Sequence, residues 1–491
     1  MKWIARIQQS LGGLWMGIMV MAGGSAAAQL LTIMSSPIVA RLYTPAEFGV
    51  TAAYSFILTG ALAINSLRYE YAIPLPKDDD EAANLTGMTI ALVLILSLVM
   101  TAVIWGIGDT ISIWLNEPRL KELLPLLPFG LIIGGWLMTL NYWTVRRKDF
   151  RTVTAAQLST SAGQVTGQIG FGLLGVGVIG LGISFIVGQV LALVAYVRVR
   201  FPWSALRPAS WGALMVKYKK FPLYSTFSSL VDIIGSQFPA VLFLAFFSAA
   251  EAGFFSLTIR ILSLPLGVIS NAVAQGFYPA IAEVQDDRLK TMRLFESMAS
   301  ALLFVSLTGF GFILATGDHL FRIVFGEQWA TAGLYAQLLV PYFLVVFISS
   351  PLSSLSLVQG RQKEVLWLIS AVTVLRFGAL IVGALLQSAL ISVGLFSLVS
   401  FVIFLVYLVW LLHLAGLTLH AWLRQHMGFV SLFAGLVVCG LWTGSLIQPI
   451  AHVLVFTCVF GGFGLLCLRR LRRIMPRTTQ PAASDGANGN S

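Results

Sequence analysis

Residues 221–283 read FPLYSTFSSLVDIIGSQFPAVLFLAFFSAAEAGFFSLTIRILSLPLGVISNAVAQGFYPAIAE, two apolar stretches joined by a short polar turn. Each stretch is long enough to cross a bilayer as a helix, for which about 20 apolar residues suffice. The first carries Asp232 and the second carries Arg260. An ionisable side chain at membrane depth is costly and normally faces a protein or water-filled interior. The sequence therefore predicts two spanning helices that line such an interior.

The rest of the chain has the composition of a membrane protein. Of its 491 residues, 57% are hydrophobic and 10% are charged, and its mean hydropathy is +0.87. A soluble domain carries about 25% charged residues. The pattern predicts an all-α polytopic membrane protein with about fourteen transmembrane helices, in apolar runs near residues 13–40, 49–67, 84–107, 123–144, 153–175, 177–197, 222–247, 252–279, 297–316, 331–357, 365–386, 388–412, 428–447 and 449–468.

The basic residues are distributed unequally between the loops. With the N-terminus placed in the cytoplasm, 25 of the 31 lysines and arginines fall on the cytoplasmic side and four on the opposite side. Cytoplasmic loops of membrane proteins characteristically carry this excess. The net charge of +11 thus indicates topology, with both termini cytoplasmic, and does not indicate a nucleic-acid-binding surface.

The chain divides into five predicted segments. They are a six-helix bundle at 1–197, a cytoplasmic linker at 198–220, a second six-helix bundle at 221–415, helices 13 and 14 at 416–475, and a tail at 476–491. The tail is rich in Ala, Ser, Gly and Asn, a composition typical of disorder. In the linker, Ser210 is a candidate N-cap for a short amphipathic helix on the inner leaflet. An ordinary polar linker is the alternative.

The two bundles share a weak internal repeat. Residues 44–49 (TPAEFG) resemble residues 248–253 (SAAEAG) at an offset of 204 residues. Two further pairs follow in the same order at offsets of 205 and 213, namely 73–74 with 278–279 and 127–129 with 340–342. Because six crossings return the chain to its starting side, the repeat predicts two pseudo-twofold-related bundles around a central cavity. Duplicated halves around a central site are typical of transporters.

Polar side chains form stripes on three predicted spans. The stripes are Gln157, Ser161, Gln164 and Gln168; Ser225, Ser229, Asp232 and Ser236; and Ser256, Arg260, Ser263 and Asn271. Their spacing places each set on one helix face. Serines alone commonly form hydrogen bonds between membrane helices, and we favour that role for them. Stripes that also carry Gln, Asp or Arg instead predict the walls of a hydrated cavity.

Three arginines and one aspartate in or at the ends of predicted spans are the charged candidate site residues. Arg376 lies deep in a predicted span with no acidic residue at neighbouring spacing, which makes it a candidate for contact with an anion. Arg68 ends the second span beside Glu70, as either a cytoplasmic gate or an interfacial anchor. A direct ion pair between Asp232 and Arg260 is the alternative to a role in the cavity.

No catalytic or metal-binding pattern is apparent in the sequence. The five histidines lack metal-ligand spacing, and there is no phosphate-binding loop and no carboxylate cluster beside a nucleophile. The expectation is a protein that is not an enzyme and needs no cofactor or metal.

Several motifs resemble those of a known family. They are LYTPAEFG at 42–49, RYEYAIPLP at 68–76, FPLYS at 221–225, the run from Ala252 through Arg260 to Leu266, and FGEQW at 325–329. In this order, over nearly the whole chain, they resemble the Wzx-type polysaccharide-biosynthesis flippases of the multidrug/oligosaccharidyl-lipid/polysaccharide (MOP) exporter superfamily. The resemblance implies a cavity that opens alternately to each side of the bacterial inner membrane.

The family resemblance also implies a substrate and partners. Such proteins move undecaprenyl-pyrophosphate-linked oligosaccharide units across the membrane for O-antigen (lipopolysaccharide), capsule or exopolysaccharide assembly. Arg260, Arg376 and Arg68 would then bind the pyrophosphate, and Asp232 would couple the cycle to H+ or Na+. The implied partners are membrane lipids, a polysaccharide polymerase and the chain-length machinery. The polar stripes would bind sugars through Gln157, Gln164, Gln168, Ser225, Ser229, Ser256 and Asn271.

Two other functions are compatible with a polytopic chain. A cation-coupled multidrug antiporter on the same scaffold should favour buried carboxylates, yet Asp232 is opposed by two arginines in predicted spans. A membrane-embedded glycan polymerase should carry a sizeable extracytoplasmic loop, and the longest external loops here have only about 15 residues.

Overall fold

We describe the protein from a computed structural model, which covers residues 2–197, 199, 201–444 and 446–474. Side chains are described for all of these except residues 2–19, 22, 268, 270–272, 274, 275 and 472–474. Within these ranges the chain is almost entirely helical and has no β-strand, which confirms the predicted all-α fold class. The tail predicted at 476–491 lies outside the described residues.

The helices follow one another along the chain with short connections. They are α1 (Lys2–Leu42), α2 (Pro45–Asn65), α3 (Asp79–Trp114), α4 (Leu120–Leu123), α5 (Leu127–Arg146), α6 (Phe150–Leu173), α7 (Val178–Tyr196), α8 (Trp211–Lys217), α9 (Thr226–Phe246), α10 (Ala249–Pro265), α11 (Asn271–Glu283), α12 (Arg288–Phe325), α13 (Ala330–Leu352), α14 (Ser354–Val358), α15 (Gln362–Leu385), α16 (Ala389–Leu414), α17 (Leu419–Thr443) and α18 (Pro449–Ile474).

Eleven helical segments among the described residues are long and apolar enough to cross a membrane. The other three predicted runs are helical too, as α1, α6 and the pair α10–α11. A π-helical stretch, Leu266–Ser270, follows Pro265 and separates α10 from α11. Proline lacks the backbone donor that would continue the α-helical pattern. The count of fourteen spans therefore stays a prediction.

Both copies of the repeat begin a helix with the same local structure. Thr44 Oγ1 accepts the Glu47 N–H at 3.3 Å, and the Glu47 carboxylate accepts the Thr44 N–H at 2.7 Å. This reciprocal arrangement is a capping box, which satisfies two free donors at the start of a helix. At the position 204 residues later, Ser248 Oγ accepts the Glu251 N–H at 3.2 Å. The sequence similarity thus reflects equivalent helix starts at α2 and α10.

These two helix starts also touch each other. A β-carbon added to Gly49 would overlap the carbonyl oxygen of Ala249 and lie 3.0 Å from the Gly253 nitrogen. One added to Gly253 would overlap the carbonyl oxygen of Pro45 and lie 3.2 Å from the Gly49 nitrogen. The contact is reciprocal between repeat mates, which indicates a local pseudo-twofold relationship between α2 and α10. Only glycine permits so close a backbone approach.

The described chain packs as two compact units. The first contains residues up to Leu264 together with Val324–Tyr335 and Phe377–Val393; the second contains Pro265–Ile323, Ala336–Arg376 and the residues from Gly394 onward. In the first unit α6 packs against α1 and α7, and α2 packs against α9. In the second unit α11 packs against α14, and α17 against α18. The predicted domain boundaries at 197, 220 and 415 remain predictions.

The predicted linker contains the short helix α8, within the first unit. Leu214 is buried in one cluster with Tyr69 and Trp143, so the apolar face of α8 packs against protein. Ser210 does not cap this helix as predicted, because its hydroxyl donates to the carbonyl of Arg207 instead. The Ser210 backbone is already helical, with φ −86° and ψ −11°, whereas an N-cap residue normally has an extended conformation.

In the second unit, histidines fasten α17 to its neighbours. The Nε2 atoms of His319 and His452 lie 2.9 and 3.0 Å from the carbonyl oxygens of Gly444 and Gly440. His426 Nε2 lies 2.9 Å from a serine hydroxyl on α12. These contacts are ordinary packing hydrogen bonds. Among the residues that the structure describes, no three His, Cys, Asp or Glu side chains are grouped to hold a metal ion.

Candidate functional site

Arg260 lies in a narrow crevice of the first unit. The crevice is lined by Ser35, Ser36, Val39, Phe48, Gln168 and Leu257 and leaves no room for a water molecule. Within the described part of the chain, Arg260 makes neither a hydrogen bond nor an ion pair. Arg260 is half-buried, and a guanidinium that has lost part of its hydration without gaining a partner carries a desolvation cost. The arrangement therefore favours an anion as the missing partner of Arg260.

Asp232 does not supply that partner. Its side chain is exposed on α9, in the same unit as Arg260. The nearby Ser236 hydroxyl donates to the backbone carbonyl of Asp232 at 2.7 Å and not to its carboxylate. The direct Asp232–Arg260 ion pair, considered from the sequence as an alternative, is not formed among the described residues.

Arg376 occupies a different environment, in the second unit. Its guanidinium carbon lies 4.8 Å from the ring centres of both Tyr342 and Phe396 and 5.7 Å from that of Phe404. Its Nε donates to Ser400 Oγ at 2.7 Å, while its Nη2 is buried without a partner in the described part of the chain. Cation–π contacts of this kind each contribute about 0.5–2 kcal/mol. Arg376 thus joins α13, α15 and α16 and keeps the NH2 group at Nη2 available.

Arg68 forms a buried ion pair. Its Nη1 lies 3.3 Å from Glu70 Oε1, and the two side chains are 8% and 0% exposed. Leu67 and Arg68 both have left-handed backbone conformations, with φ of 50° and 58°, which is uncommon for residues other than glycine. Arg68 Nε and Glu70 Oε2 have no partner among the described residues. The backbone therefore holds the two side chains together, but each side chain keeps one polar atom without a hydrogen bond in the described chain.

The predicted polar stripes have mixed environments. Gln168 is buried in the Arg260 crevice, Gln164 packs against the backbone of Gly188, and Gln157 Oε1 accepts the Ser25 hydroxyl at 2.7 Å. The remaining predicted residues are Ser225 and Ser229, which are half-buried; Ser256, whose hydroxyl donates to the carbonyl of Ala252 on its own helix; and Asn271, whose side chain lies outside the described residues.

Gln157 opens onto a groove of mixed apolar and polar lining that the sequence did not predict. The groove lies between α5, α6 and α7 in the first unit, has a volume of about 320 Å³, and is lined by Leu137, Met138, Asn141, Tyr142, Ala156, Gln157, Thr160, Ala192 and Tyr196. Asn141 and Tyr142 are spaced four residues and one turn from Leu137 and Met138, so one face of α5 supplies this wall. That spacing was the available signal, but it does not reveal which helices face α5.

The buried carboxylates are both paired. Glu70 and Glu117 are the buried acidic residues of the described chain, at 0% and 7% exposure. Arg119 donates to both oxygens of Glu117 at 2.8 Å, and these bonds hold the pKa of Glu117 below its ordinary value. Neither carboxylate is free to receive an organic cation.

A family model for polysaccharide biosynthesis proteins matches residues 38–333. The chain is 24% identical over 317 residues to the succinoglycan biosynthesis transport protein ExoT of Rhizobium meliloti (strain 1021), with 62% of this chain and 60% of that protein covered. It is 21% identical over 350 residues to the teichuronic acid biosynthesis protein TuaB of Bacillus subtilis (strain 168), with 69% of each covered.

Two solved structures have similar folds. A multidrug resistance MATE family transporter of the MOP superfamily, in an inward-facing conformation, matches with a TM-score of 0.65 and 16% identity, over 79% of this chain and 94% of that one. The lipid II flippase MurJ, in an inward closed conformation, matches with a TM-score of 0.68 and 12% identity, over 93% and 100%. The fold predicted from the motifs is thereby confirmed. Because the family model matches more than half of the sequence, this chain belongs to the polysaccharide biosynthesis protein family.

Proposed function

We propose that this chain is a flippase for undecaprenyl-pyrophosphate-linked oligosaccharide units, which it moves from the cytoplasmic to the outer leaflet of the bacterial inner membrane. Membership of the polysaccharide biosynthesis family supports the pathway. The succinoglycan transport protein and the lipid II flippase support translocation as the activity. The eleven long, apolar helices of the described chain and the unequal charge of the loops support the membrane location, with both termini in the cytoplasm.

Arg260 is the observation that carries the proposal. The pyrophosphate of the substrate is an anion, and guanidinium groups recognise phosphate oxygens through paired hydrogen bonds. Arg260 lacks any partner among the described residues, and Ser35 and Ser36 line the same crevice. The crevice is too narrow for water in the present conformation. The pyrophosphate would therefore reach Arg260 only when the crevice widens during transport.

Arg376 and Arg68 are the other proposed anion ligands. Arg376 would use its unpartnered Nη2 while the aromatic rings hold the rest of its guanidinium. Arg68 would first have to exchange its contact with Glu70 for the phosphate. We therefore rank Arg260 first, Arg376 second and Arg68 third as pyrophosphate ligands.

The polar stripes are proposed to bind the sugars. Amide and hydroxyl side chains supply both donors and acceptors, which sugar hydroxyls require. Gln157, Gln164 and Gln168 lie along α6 in the first unit. The proposed set is completed by Ser225, Ser229, Ser256 and Asn271.

Transport is proposed to proceed by alternating access. The repeat-related contact between Gly49 and Gly253 joins the starts of α2 and α10, on the side predicted to be external. The outer ends of these helices would separate at this contact when the cavity opens outward. Asp232, whose carboxylate is unpaired within the described chain, is the proposed coupling residue for H+ or Na+.

The proposed pathway also gives expectations about partners. We expect the chain to act with a polysaccharide polymerase and chain-length machinery, within membrane lipids, and without nucleic acid, cofactor or metal. We expect no catalysis by this chain, because the succinoglycan relative is a transport protein and the structural neighbours are a transporter and a flippase.

A deletion strain tests the proposal. Loss of the chain should abolish surface polysaccharide and cause lipid-linked oligosaccharide to accumulate on the cytoplasmic side of the membrane. Complementation with Arg260→Ala should fail to restore the polysaccharide although the protein inserts normally. Accumulation of translocated but unpolymerised units would instead indicate a polymerase.

A cation-coupled multidrug antiporter is the second candidate, on the basis of the shared MATE fold. Both buried carboxylates of the described chain are paired with arginines, which argues against a site for organic cations. Drug resistance on overexpression, without any polysaccharide defect on deletion, would favour this alternative.

A further inference from the structure

The groove between α5, α6 and α7 is separate from the crevice that holds Arg260. We propose that this groove is the saccharide subsite and that it holds the sugars while Arg260 holds the pyrophosphate. This inference rests on the proposed flippase function. It adds the place where the sugars bind and the orientation of the substrate in the protein. The groove volume of about 320 Å³ is at the lower end of the roughly 300–1,000 Å³ typical of small-molecule sites.

The side chains of the groove suit a sugar. A pyranose ring presents an apolar face of C–H groups and a rim of hydroxyls. Tyr142 and Tyr196 supply aromatic rings with a polar tip, and Asn141 and Gln157 supply amides that both donate and accept. No charged residue lines the groove, so a neutral polyhydroxyl ligand fits it better than a phosphate or a cationic drug.

Gln157 has free hydrogen-bonding capacity for a ligand. Gln157 uses its Oε1 to accept from Ser25, and within the described chain its amide N–H groups have no protein partner. Thr160 is satisfied by the carbonyl of Ala156 at 2.9 Å. Polar groups that lack protein partners while lining a cavity are available to bind solvent or ligand. A sugar would replace water at Gln157.

The groove and the Arg260 crevice are connected by one helix face. Gln157 lines the groove and Gln168 lines the crevice, eleven residues apart on α6. At a rise of 1.5 Å per residue this separation is about 16 Å, and Gln164 lies between them on the same face. A pyrophosphate at Arg260 would therefore place several sugar rings along α6 toward the predicted cytoplasmic end, where the groove lies.

Binding by the purified, full-length protein in detergent tests this assignment with two probes. One probe is undecaprenyl pyrophosphate without sugar. The other is the lipid-linked oligosaccharide extracted from source-bacterium membranes that lack this chain. The wild type should bind the glycosylated lipid at least about tenfold more tightly than the bare lipid. The sugars add one or more neutral hydrogen bonds to the protein, and each such bond can raise the affinity by up to about tenfold.

Variants of the groove should lose this preference selectively. Gln157→Ala and Tyr142→Ala should each weaken binding of the glycosylated lipid by about tenfold and leave binding of the bare lipid unchanged. Tyr142→Phe, which keeps the ring and the packing, should show a smaller loss in the same direction. Ser159→Ala is the matched control, because Ser159 lies on α6 but lines a different groove; it should bind both probes as the wild type does.

The outcomes of these binding measurements distinguish a failure of the proposed saccharide subsite from a failure of the proposed flippase function. Equal wild-type affinity for the two probes, wild-type behaviour of both alanine variants, or equal weakening of both probes would overturn the saccharide subsite while leaving a lipid flippase in place. A wild type that binds neither probe would contradict the flippase function and the subsite together.

Discussion

Gly49 and Gly253, 204 residues apart, pack against each other's helix starts in a reciprocal contact. The space for a β-carbon at each glycine is occupied by the carbonyl oxygen four residues before the other, that of Ala249 and that of Pro45. Corresponding residues of an internal repeat meet in this way only about a local twofold axis. The contact therefore shows that the repeat predicted from the sequence is also a repeat in the structure, at the starts of α2 and α10.

Enlarging either glycine should force α2 and α10 apart. Gly49→Val and Gly253→Val each place atoms on backbone that cannot move aside, and overpacking of this kind costs about 1–3 kcal/mol. We expect a lower unfolding temperature in detergent and reduced surface polysaccharide. Gly60→Ala on the same helix is the control, because no atom lies within 4 Å of its added β-carbon. Equal behaviour of Gly49→Val and Gly60→Ala would refute the close contact.

Arg376 should contribute to stability as well as to transport. Arg376→Ala removes three ring contacts and the bond to Ser400, and we expect a loss of about 2–4 kcal/mol from these terms together. Arg376→Lys keeps the charge but not the planar guanidinium, and should recover part of that loss. The measurement is thermal unfolding of the purified variants. An unchanged unfolding temperature for Arg376→Ala would leave anion binding as its sole role.

The Arg68–Glu70 pair should respond asymmetrically to substitution. Removing either partner leaves a buried charge uncompensated, which costs about 3–5 kcal/mol, whereas replacing both with apolar residues is often nearly neutral. We therefore expect Arg68→Met or Glu70→Leu to be more destabilising than the double variant. The exposed pair Arg361–Glu364 is the control and should show a coupling of at most about 1 kcal/mol. Additive single effects at Arg68 and Glu70 would contradict a coupled buried pair.

Local patterns in the sequence predicted those features of the fold that residues close together in the chain determine. Apolar runs predicted the helices because burial in lipid requires about 20 apolar residues per span. The repeated Thr44 and Ser248 positions predicted equivalent helix starts, and both cap their helices. The stripe from Gln157 to Gln168 predicted one polar face of α6, and its two ends line the groove and the Arg260 crevice.

Such local patterns did not predict the contacts between helices that are distant in sequence. Nothing near Arg376 in the chain indicates that Tyr342 and Phe404, on other helices, enclose it. The left-handed turn that buries Arg68 against Glu70 has no glycine to mark it. The spacing of Ser256 placed it on the Arg260 face of α10 as a cavity-lining residue, but did not reveal that its hydroxyl donates to the carbonyl of Ala252 on its own helix, as serine often does in helices.

Translocation in proteoliposomes tests the central claim most directly. The protein is reconstituted with labelled lipid-linked oligosaccharide from the source bacterium, and a membrane-impermeant glycosidase reports the sugar that reaches the outer leaflet. The wild type should expose the sugar faster than protein-free liposomes, and Arg260→Ala should fall to the protein-free rate while Arg151→Ala, a surface arginine of α6, stays at the wild-type rate. A wild type no faster than protein-free liposomes, or an Arg260→Ala variant as fast as the wild type, would contradict the account.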